Sequence, residues 1–319
     1  MPLPPKLTLI SDSRFLDHDT GIDHPELPAR LQLILNNLEQ SEYYSSLGFH
    51  GTRPAERKWL IAAHDEGWLF RFEEAVLSGK TSVDHSDNQI CYESYDVATL
   101  SAGAGLTGVD LLEQGTARQV FCLVRPPGHH AERNRPFGFC FFNNCVVAAR
   151  YWQQQYGRQR ILVFDFDAHH GNGIQSAFER EADTLYISIH EHPSFSYPGT
   201  GYKDETGFEE GRGSILNLPL SPGAGDEQLL ALLHGPVEEK IAQWQPDAMI
   251  VAAGFDGHRA DEMSGLLYST GVYEKVGQGV RALSNKYCGG RLLSMLEGGY
   301  ELTVLGESVE AYVRGLLAE

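Results

Sequence analysis

The segment RILVFDFDAHHGNG, residues 160–173, joins an apolar run to a cluster of ionisable side chains. Its first half predicts a buried strand, because aliphatic and aromatic residues follow one another without a polar break. Residues two apart in an extended chain point the same way, so Asp165, Asp167 and His169 are predicted to project from one face. Carboxylate and imidazole groups at this spacing suit a catalytic metal ion. A purely structural explanation competes, in which these residues only cap a helix over 171–180.

Further apolar runs of strand length occur along the chain and alternate with segments of helical spacing. This alternation predicts βαβ units, and therefore a three-layer α/β fold around a mainly parallel sheet. The chain contains no low-complexity linker, charge block or internal repeat, so we expect one domain over residues 1–319. The other predicted strands are 6–10, 119–124, 184–190, 214–220, 248–255 and 291–298.

Ionisable residues follow several of these runs directly. His129 and His130 come after 119–124, in a turn stiffened by two prolines and a glycine. Asp256 follows 248–255, and Tyr300 follows 291–298. Ligands of open parallel sheets bind beyond the carboxyl ends of the strands, so these side chains are predicted to meet the 165–169 cluster at one edge. Asp256 would then complete a three-ligand set with a position left for water.

The charge balance limits the range of partners. The chain has 25 Lys and Arg against 43 Asp and Glu, a formal net charge of −18. This charge argues against nucleic acid as a direct partner and favours cationic substrates. A role in solubility alone explains the same excess.

Cysteine usage and hydropathy suggest the compartment. The five cysteines are odd in number and mostly lie in apolar runs, which predicts free thiols in a reducing environment. The first fifteen residues have too short an apolar stretch for a signal peptide, and no run is long enough to span a membrane. We therefore expect a cytoplasmic protein without membrane association.

Six motifs, in this order and spacing, resemble the histone deacetylase superfamily. The resemblance runs from HPELPAR (24–30) to the last helix, and within the superfamily it is closest in kind to the bacterial class II-type amidohydrolases. It implies the arginase/deacetylase fold, an eight-stranded parallel sheet flanked by helices, with one zinc ion at the strand ends. The motifs are RPPGHH (125–130), GFCFFNN (138–144), DFDAHHGNG (165–173), YPGTG (197–201), AGFD (253–256) and EGGY (297–300).

The resemblance also implies roles for individual residues. Asp167, His169 and Asp256 match the zinc ligands. His129 and His130 match the paired histidines, with His130 as general base and then acid, and Tyr300 matches the tyrosine that hydrogen-bonds the substrate carbonyl. Supporting positions are Asp165 beside His129, Asn172 beside His130, a substrate tunnel of Gly138, Phe139, Tyr197 and Met263, and a potassium site of Asp165, Asp167, His169 and Ser188.

The implied activity is removal of acetyl or other short acyl groups from lysine side chains, with sensitivity to hydroxamate inhibitors. An acetylpolyamine amidohydrolase would use the same residues, and Asp84, Asp87, Asp261 and Glu262 are predicted to add acidity near the entrance. Four matters remain open: the choice between these substrates, a catalytically inactive acyl-lysine binding protein, which of His129 and His130 is the general base, and assembly into homo-oligomers. An arginase-like site with two manganese ions is disfavoured, because Gly171 and His258 stand where further carboxylates would be needed.

Overall fold

The computed structural model describes residues 4–318. Residues 1–3, part of the segment predicted to lack a signal peptide, lie outside the described residues, as does Glu319. The strands are β1 (Thr8–Ile10), β2 (Gly48–His50), β3 (Ser82–Val83), β4 (His85–Gln89), β5 (Gln119–Cys122), β6 (Ile161–Asp165), β7 (Thr184–Glu191), β8 (Ile215–Leu220), β9 (Ala248–Ala253) and β10 (Leu292–Leu296). The helices are α1 (Ala29–Glu39), α2 (Arg57–Ala63), α3 (Glu66–Leu77), α4 (Ser94–Glu113), α5 (Asn144–Tyr156), α6 (Asn172–Phe178), α7 (Asp226–Leu232), α8 (Glu238–Trp244), α9 (Thr270–Tyr287) and α10 (Leu302–Leu317).

Eight strands form one sheet in the order β2-β1-β5-β10-β9-β6-β7-β8, and every neighbouring pair is parallel. The central strands β5, β10, β9 and β6 are buried along their whole length. Strands buried on both faces need near-continuous apolar sequence, which explains why they were readable as unbroken runs. A separate antiparallel hairpin is formed by β3 and β4.

Helices cover both faces of the sheet, as two neighbouring residues of β5 show. Phe121 packs edge-on against Tyr312 of α10, with ring centroids 5.5 Å apart. The next residue, Cys122, directs its thiol to the carbonyl of Ala104 in α4, 3.4 Å away. Successive residues of a strand point to opposite faces, so α4 and α10 lie on opposite sides. The three-layer α/β prediction is confirmed.

All seven predicted strands are present, and three short strands were missed, which are the hairpin strands β3 and β4 and the eighth strand of the main sheet. This strand, β2, is a three-residue edge strand whose residues are partly or fully exposed, so it lacks the apolar run that marks the others. One local prediction was wrong. The strand β6 ends at Asp165, so Asp167 and His169 lie in the loop that follows and not on one strand face.

Two predictions from composition can be compared with the described residues. The five cysteines are free, as expected. Within residues 4–318, no helix has the length and hydropathy that crossing a membrane requires.

Candidate active site

The predicted site residues come together because four consecutive strands deliver them. Strands β5, β10, β9 and β6 are direct neighbours at the centre of the sheet, and their carboxyl ends meet at one edge. The loops after them carry His129 and His130, Tyr300, Asp256, and the 165–169 segment, respectively. Residues far apart in sequence therefore form one compact site.

Asp167, His169 and Asp256 are buried, and their ligand atoms all lie within 4.8 Å of one another. Backbone groups fix both carboxylates. Asp256 Oδ1 accepts the N–H of Ala168 at 2.9 Å, and Asp167 Oδ2 accepts the N–H of Gly298 at 2.8 Å. A Cβ atom at Gly298 would overlap both carboxylates, so this approach of backbone to ligands requires glycine.

The hydrogen bonds of His169 indicate what belongs between these ligands. Its Nε2 lies 3.0 Å from the carbonyl oxygen of Met263, which can only accept, so Nε2 carries the proton. Burial lowers the pKa of His169, but Asp256 and Asp167, whose carboxylate oxygens lie 2.9 and 3.2 Å from Nδ1, raise it well above the ordinary histidine value, so Nδ1 holds a proton when no metal ion is bound. A metal ion can take the place of this proton, because Nδ1 and the two carboxylates then all direct lone pairs to the same point. Two carboxylates and one imidazole are a donor set that fits a divalent metal such as zinc.

Electrostatics at the same place agree with this interpretation. Burial and the neighbouring charge of Asp167 raise the pKa of Asp256 to about 6. A bound cation would remove that repulsion and return the carboxyl group to its ionised form. Among the described residues 4–318, these three form the one His, Cys, Asp or Glu group close enough to hold a metal, which agrees with a single ion.

The paired histidines have different partners. His129 Nδ1 lies 3.1 Å from Asp165 Oδ2, an oxygen that also accepts the hydroxyl of Tyr186 at 3.0 Å. His130 Nδ1 lies 2.8 Å from Asn172 Oδ1. The two rings stand 3.9 Å apart between centroids, so the charge of one is felt by the other. The structure thus brings Asp165 and Asn172 to the histidines beside which they were expected.

Asn172 fixes the tautomer of His130. Its Nδ2 donates to Glu132 Oε1 at 2.9 Å, so the amide oxygen is the atom that faces the ring. This oxygen can only accept, and Nδ1 of His130 therefore carries the proton. The Nε2 lone pair is left available on the side of the ring that lines the cavity described below.

Their environments separate the basicities of the two histidines. Burial lowers the pKa of His129, but Asp167 and Asp165 outweigh it and raise the value to about 10. Burial and the charges of His129 and His169 hold the pKa of His130 well below its ordinary value. At neutral pH the pair therefore consists of a cationic His129 and a neutral His130.

One buried carboxylate in the site was not singled out from the sequence. Glu297 Oε2 accepts the backbone N–H groups of Gly128 and His129 at 2.7 and 3.0 Å, and so fixes the turn that carries the histidine pair. Burial raises the pKa of Glu297 to about 7. The sequence did contain a sign of this role, because Glu297 is an acidic residue at the end of a mainly apolar strand run. A carboxylate buried there needs nearby hydrogen-bond donors to offset its loss of solvation.

The loop after β10 positions Tyr300. Asp261 Oδ2 accepts the N–H groups of Tyr300 and Glu301 at 2.6 and 3.1 Å, and Asp261 Oδ1 accepts the N–H of Met263 at 3.0 Å. The buried Asp261 carboxylate thus links the backbone of Tyr300 to the backbone of Met263. Burial raises the pKa of the Tyr300 phenol well above its ordinary value despite nearby Arg30, so the hydroxyl stays a proton donor.

A buried ion cluster supports the same loop from behind. Arg30 donates to the carbonyls of Gly299 and Glu297 at 2.5 and 2.7 Å, and its guanidinium lies 4.8 Å from the Tyr300 ring centroid. Glu26 accepts from Arg30 at 2.9 Å and from Arg125 at 2.6 Å. Sequence spacing does not predict these contacts, because Glu26 lies 99 residues from Arg125 and Arg30 lies 269 residues from Gly299.

A cavity of about 230 Å³ opens above the metal group. His130 and His169 form its buried floor, whereas Tyr197 and Met263 stand at its mouth with 42% and 38% of their surface exposed. Gly138 has φ +51° and lies so close to His130 that a Cβ atom would overlap the ring, which again requires glycine. The cavity is lined by Asp87, His130, Gly138, Phe139, His169, Tyr197, Met263 and Tyr300.

The expected acidic rim is smaller than predicted. Asp87 lines the cavity and Glu262 is exposed. Asp261 is 5% exposed, and its carboxylate is occupied by backbone N–H groups, so the prediction that it adds acidity at the entrance was wrong. Asp84 lies in the hairpin turn 3.7 Å from Arg71 and does not line the cavity.

Two further expectations concern the 165–173 segment. Helix α6 begins after Gly171 without a side-chain cap, so the aspartates and His169 do not serve as helix caps. The β6–β7 register places Ser188 beside Asp165, and Ser188 Oγ lies 2.7 Å from His190 Nδ1. The potassium site stays a prediction.

Comparison with known proteins agrees with this geometry. The model of the histone deacetylase domain matches residues 24–316. Histone deacetylase 14, chloroplastic, of Arabidopsis thaliana is 34% identical, with 100% of this chain and 80% of that protein covered. The histone deacetylase-like amidohydrolase of Pseudomonas aeruginosa is 33% identical, with 91% and 74% covered. The crystal structure of the HDA15 HD domain superposes with a TM-score of 0.92 at 32% identity, with 99% and 90% covered.

The fold and the site together define a hydrolase of the deacetylase and amidohydrolase class. The chain belongs to the histone deacetylase family, as its motifs had indicated, and the arginase/deacetylase fold is confirmed.

Replacement of Asp261 by Asn should lower kcat while KM and metal content change little. The neutral amide weakens three backbone hydrogen bonds that fix Tyr300, and a hydrogen bond to a charged group is typically worth about 1.5–3 kcal/mol. We expect a roughly tenfold or larger loss of kcat, measured by steady-state hydrolysis of an acyl-lysine peptide. Glu262→Gln, a neighbouring exposed carboxylate, is the matched control. Equal kcat in both variants would show that Asp261 does not position the tyrosine.

Proposed function

We propose that this protein is a zinc-dependent deacylase that removes acetyl or other short acyl groups from the ε-amine of lysine in peptides or proteins. The observation that carries the proposal is the cavity. Its mouth is walled by side chains that suit an aliphatic stem, and its lining includes His169 of the metal group, His130 and Tyr300. A cavity of this form accepts a linear acyl-amide chain end-on and excludes bulkier groups.

The walls support a lysine-like stem. Phe139 stands edge-on to Tyr300 with ring centroids 5.7 Å apart, and Tyr197 stands edge-on to His130 at 5.1 Å. Aromatic faces and the thioether of Met263 cover methylene groups without demanding hydrogen bonds. The Tyr197 hydroxyl, which replaces the bare ring of a phenylalanine, lies on a half-exposed residue at the mouth and adds a polar atom there.

A zinc ion held by Asp167, His169 and Asp256 would supply an activated water, because metal binding lowers the pKa of water from ~15.7 toward ~7. Neutral His130 offers its Nε2 lone pair to the proton released from the attacking water. The same nitrogen can then pass this proton to the departing amine. Asn172 holds the ring in the required tautomer without adding charge. Cationic His129, held by Asp165, keeps the pKa of its neighbour low.

Tyr300 supplies the remaining element. Its phenol stays protonated, and the ring lines the cavity beside the metal group, so the hydroxyl can donate to the oxyanion that develops on the substrate carbonyl. Hydroxamates bring two oxygen ligands on a narrow stem, and we expect them to inhibit. We also propose a cytoplasmic location, as the free thiols led us to expect. The family resemblance implies that Asp165, Asp167, His169 and Ser188 would hold a potassium ion.

Acetylpolyamine hydrolysis is the second candidate, favoured by the net charge of −18 and by Asp87 at the cavity wall. A single carboxylate at the rim can accept a hydrogen bond from a peptide N–H group as well as from a polyamine nitrogen. We place the acyl-lysine activity first because Met263, at the mouth, offers a second amine no carboxylate partner.

The decisive experiment compares kcat/KM of zinc-loaded enzyme for acetyl-lysine peptides, longer acyl-lysine peptides, acetylputrescine and acetylspermidine. We expect the highest value for a short acyl-lysine peptide. Asp87→Asn, with Asp84→Asn as the matched control, should raise KM for whichever substrate relies on the rim acid. Absence of hydroxamate-sensitive turnover on every substrate would refute the deacylase proposal.

Tyr300→Phe should lower kcat by about two to three orders of magnitude, the usual loss for one oxyanion donor. Metal content, measured by elemental analysis, should equal that of the parent, because the phenol is not among the proposed ligands. The matched control is Tyr197→Phe, which removes a hydroxyl at the mouth and should leave kcat nearly intact. Parental kcat in Tyr300→Phe would remove this residue from the reaction.

The acidic limb of the pH profile should report His130. Its depressed pKa keeps the base form populated as the pH falls through the ordinary histidine value of about 6.5, so kcat/KM should decline only below that value. Asn172→Asp adds a charge that stabilises the imidazolium form, and should move the limb upward by about one pH unit or more. Asn134→Asp, in an exposed loop, controls for net charge. An unmoved limb in Asn172→Asp would exclude His130 as the titrating base.

A further inference from the structure

Glu132 lies beside the paired histidines but outside the set of residues that the proposed reaction uses. Its side chain is 21% exposed, and its two carboxylate oxygens have different partners. Oε1 accepts an Nδ2 hydrogen of Asn172 at 2.9 Å, and Oε2 accepts the Nε hydrogen of Arg135 at 3.0 Å. The carboxylate therefore connects the mostly exposed loop 132–135 to the residue that holds His130.

The backbone of Glu132 is fixed from two sides. Its N–H donates to the carbonyl of Arg135 at 3.1 Å, and its carbonyl accepts the Nδ1 hydrogen of His64 at 3.0 Å. The donor role of His64 is settled because its Nε2 accepts the N–H of Asn143 at 2.9 Å, and burial lowers the pKa of this ring to about 4, so it is neutral. Glu132 is thus held by a buried side chain as well as by Arg135.

The amide group of Asn172 can face His130 with either its oxygen or its nitrogen. With the oxygen 2.8 Å from Nδ1 of His130, Nδ2 donates to Glu132 Oε1 and, at 3.3 Å, to the carbonyl of His130. In the reversed orientation, Oδ1 would face these two acceptors, and the amide nitrogen would require His130 to carry its proton on Nε2. A ring protonated at Nε2 has no lone pair on the cavity side and cannot accept a proton from the attacking water.

We propose that Glu132 is a positioning residue for the general base, which selects the amide orientation of Asn172 and through it the tautomer of His130. Hydrogen bonds to a charged group are roughly twice as strong as those between neutral groups, so the carboxylate has more influence than the longer bond to the backbone carbonyl. This role exists because residue 172 is an amide, since an ionised aspartate there would only accept and would need no orientation. The kinetic consequence rests on the proposed function, whereas the placement of the proton on Nδ1 does not.

The competing explanation is that Glu132 only stabilises its loop through Arg135. Arg135 is 54% exposed, and exposed ion pairs contribute little to stability. The two explanations differ in how they depend on Asn172. Loop stabilisation is the same whether residue 172 is an amide or a carboxylate, whereas an orienting role disappears when the amide does.

The kinetic test is a double-mutant cycle of Glu132→Met and Asn172→Asp in the zinc-loaded full chain. Alone, Glu132→Met should lower kcat on an acyl-lysine peptide about three- to tenfold with KM and metal content unchanged, because the carbonyl of His130 still favours the same amide orientation. In the Asn172→Asp background, the same substitution should cause no loss of kcat. Glu181→Met, which removes a carboxylate paired with Arg150 at 2.6 Å, is the matched control and should turn over like the parent.

Nitrogen NMR of protein with isotope-labelled histidine tests the tautomer without any turnover. The imidazole signals of His130, identified by their absence in His130→Asn, should show the proton on Nδ1 in the parent. Glu132→Met should transfer part of it to Nε2, and the double variant should show it on Nδ1 again. If Glu132→Met fails to fold, as judged by thermal unfolding, Glu132→Ala takes its place.

The proposal is overturned if removal of the Glu132 carboxylate leaves the proton wholly on Nδ1. It is also overturned if the loss of kcat is the same with and without Asn172→Asp, since Glu132 would then act on the loop alone. A parent enzyme that hydrolyses none of the substrates would refute the deacylase function, and the NMR result would still decide whether Glu132 sets the tautomer.

Discussion

The active site depends on one electrostatic constraint. Two buried carboxylates, Asp167 and Asp256, converge on Nδ1 of His169 from 3.2 and 2.9 Å. Such an arrangement is costly in a low-dielectric interior unless a metal ion balances it. Backbone N–H groups and glycines hold the three ligands so rigidly that they cannot move apart to relieve the repulsion. Much of the loop structure at this edge follows from keeping that cation site open.

The same constraint explains why the supporting residues are charged and buried. Asp165, Asp261 and Glu297 each place a carboxylate where it accepts backbone N–H groups of the site loops. Behind them, Glu26 and Arg30 balance one another. Each group satisfies donors that a tight, irregular loop would otherwise leave unpaired in the interior. The buried charges around the metal group thus fix loops that regular secondary structure cannot hold.

The sequence predicted the parts of this structure that a local pattern specifies. Apolar runs marked the seven buried strands, and parallel pairing then brought Asp256 and Tyr300 to the 165–169 cluster. Exposed edge strand β2 has no such pattern and was missed. The prediction that Asp261 faces the cavity entrance was wrong for a related reason. The sequence of a polar loop does not show whether an aspartate faces solvent or accepts three backbone N–H groups, as Asp261 does. Glu26 lies in the HPELPAR segment, but nothing in that segment indicates that its carboxylate pairs with Arg125, 99 residues away.

The two edges of the sheet differ in how they use charge. At the carboxyl edge, acidic ligands surround a cation, and the fold supplies further acceptors to hold the loops. At the amino edge, three helices end and arginines collect around a cavity. The central strands between the two edges are four to six residues long, about 13–20 Å, and all of their residues are buried. A change at one edge would therefore reach the other mainly through a shift of these strands.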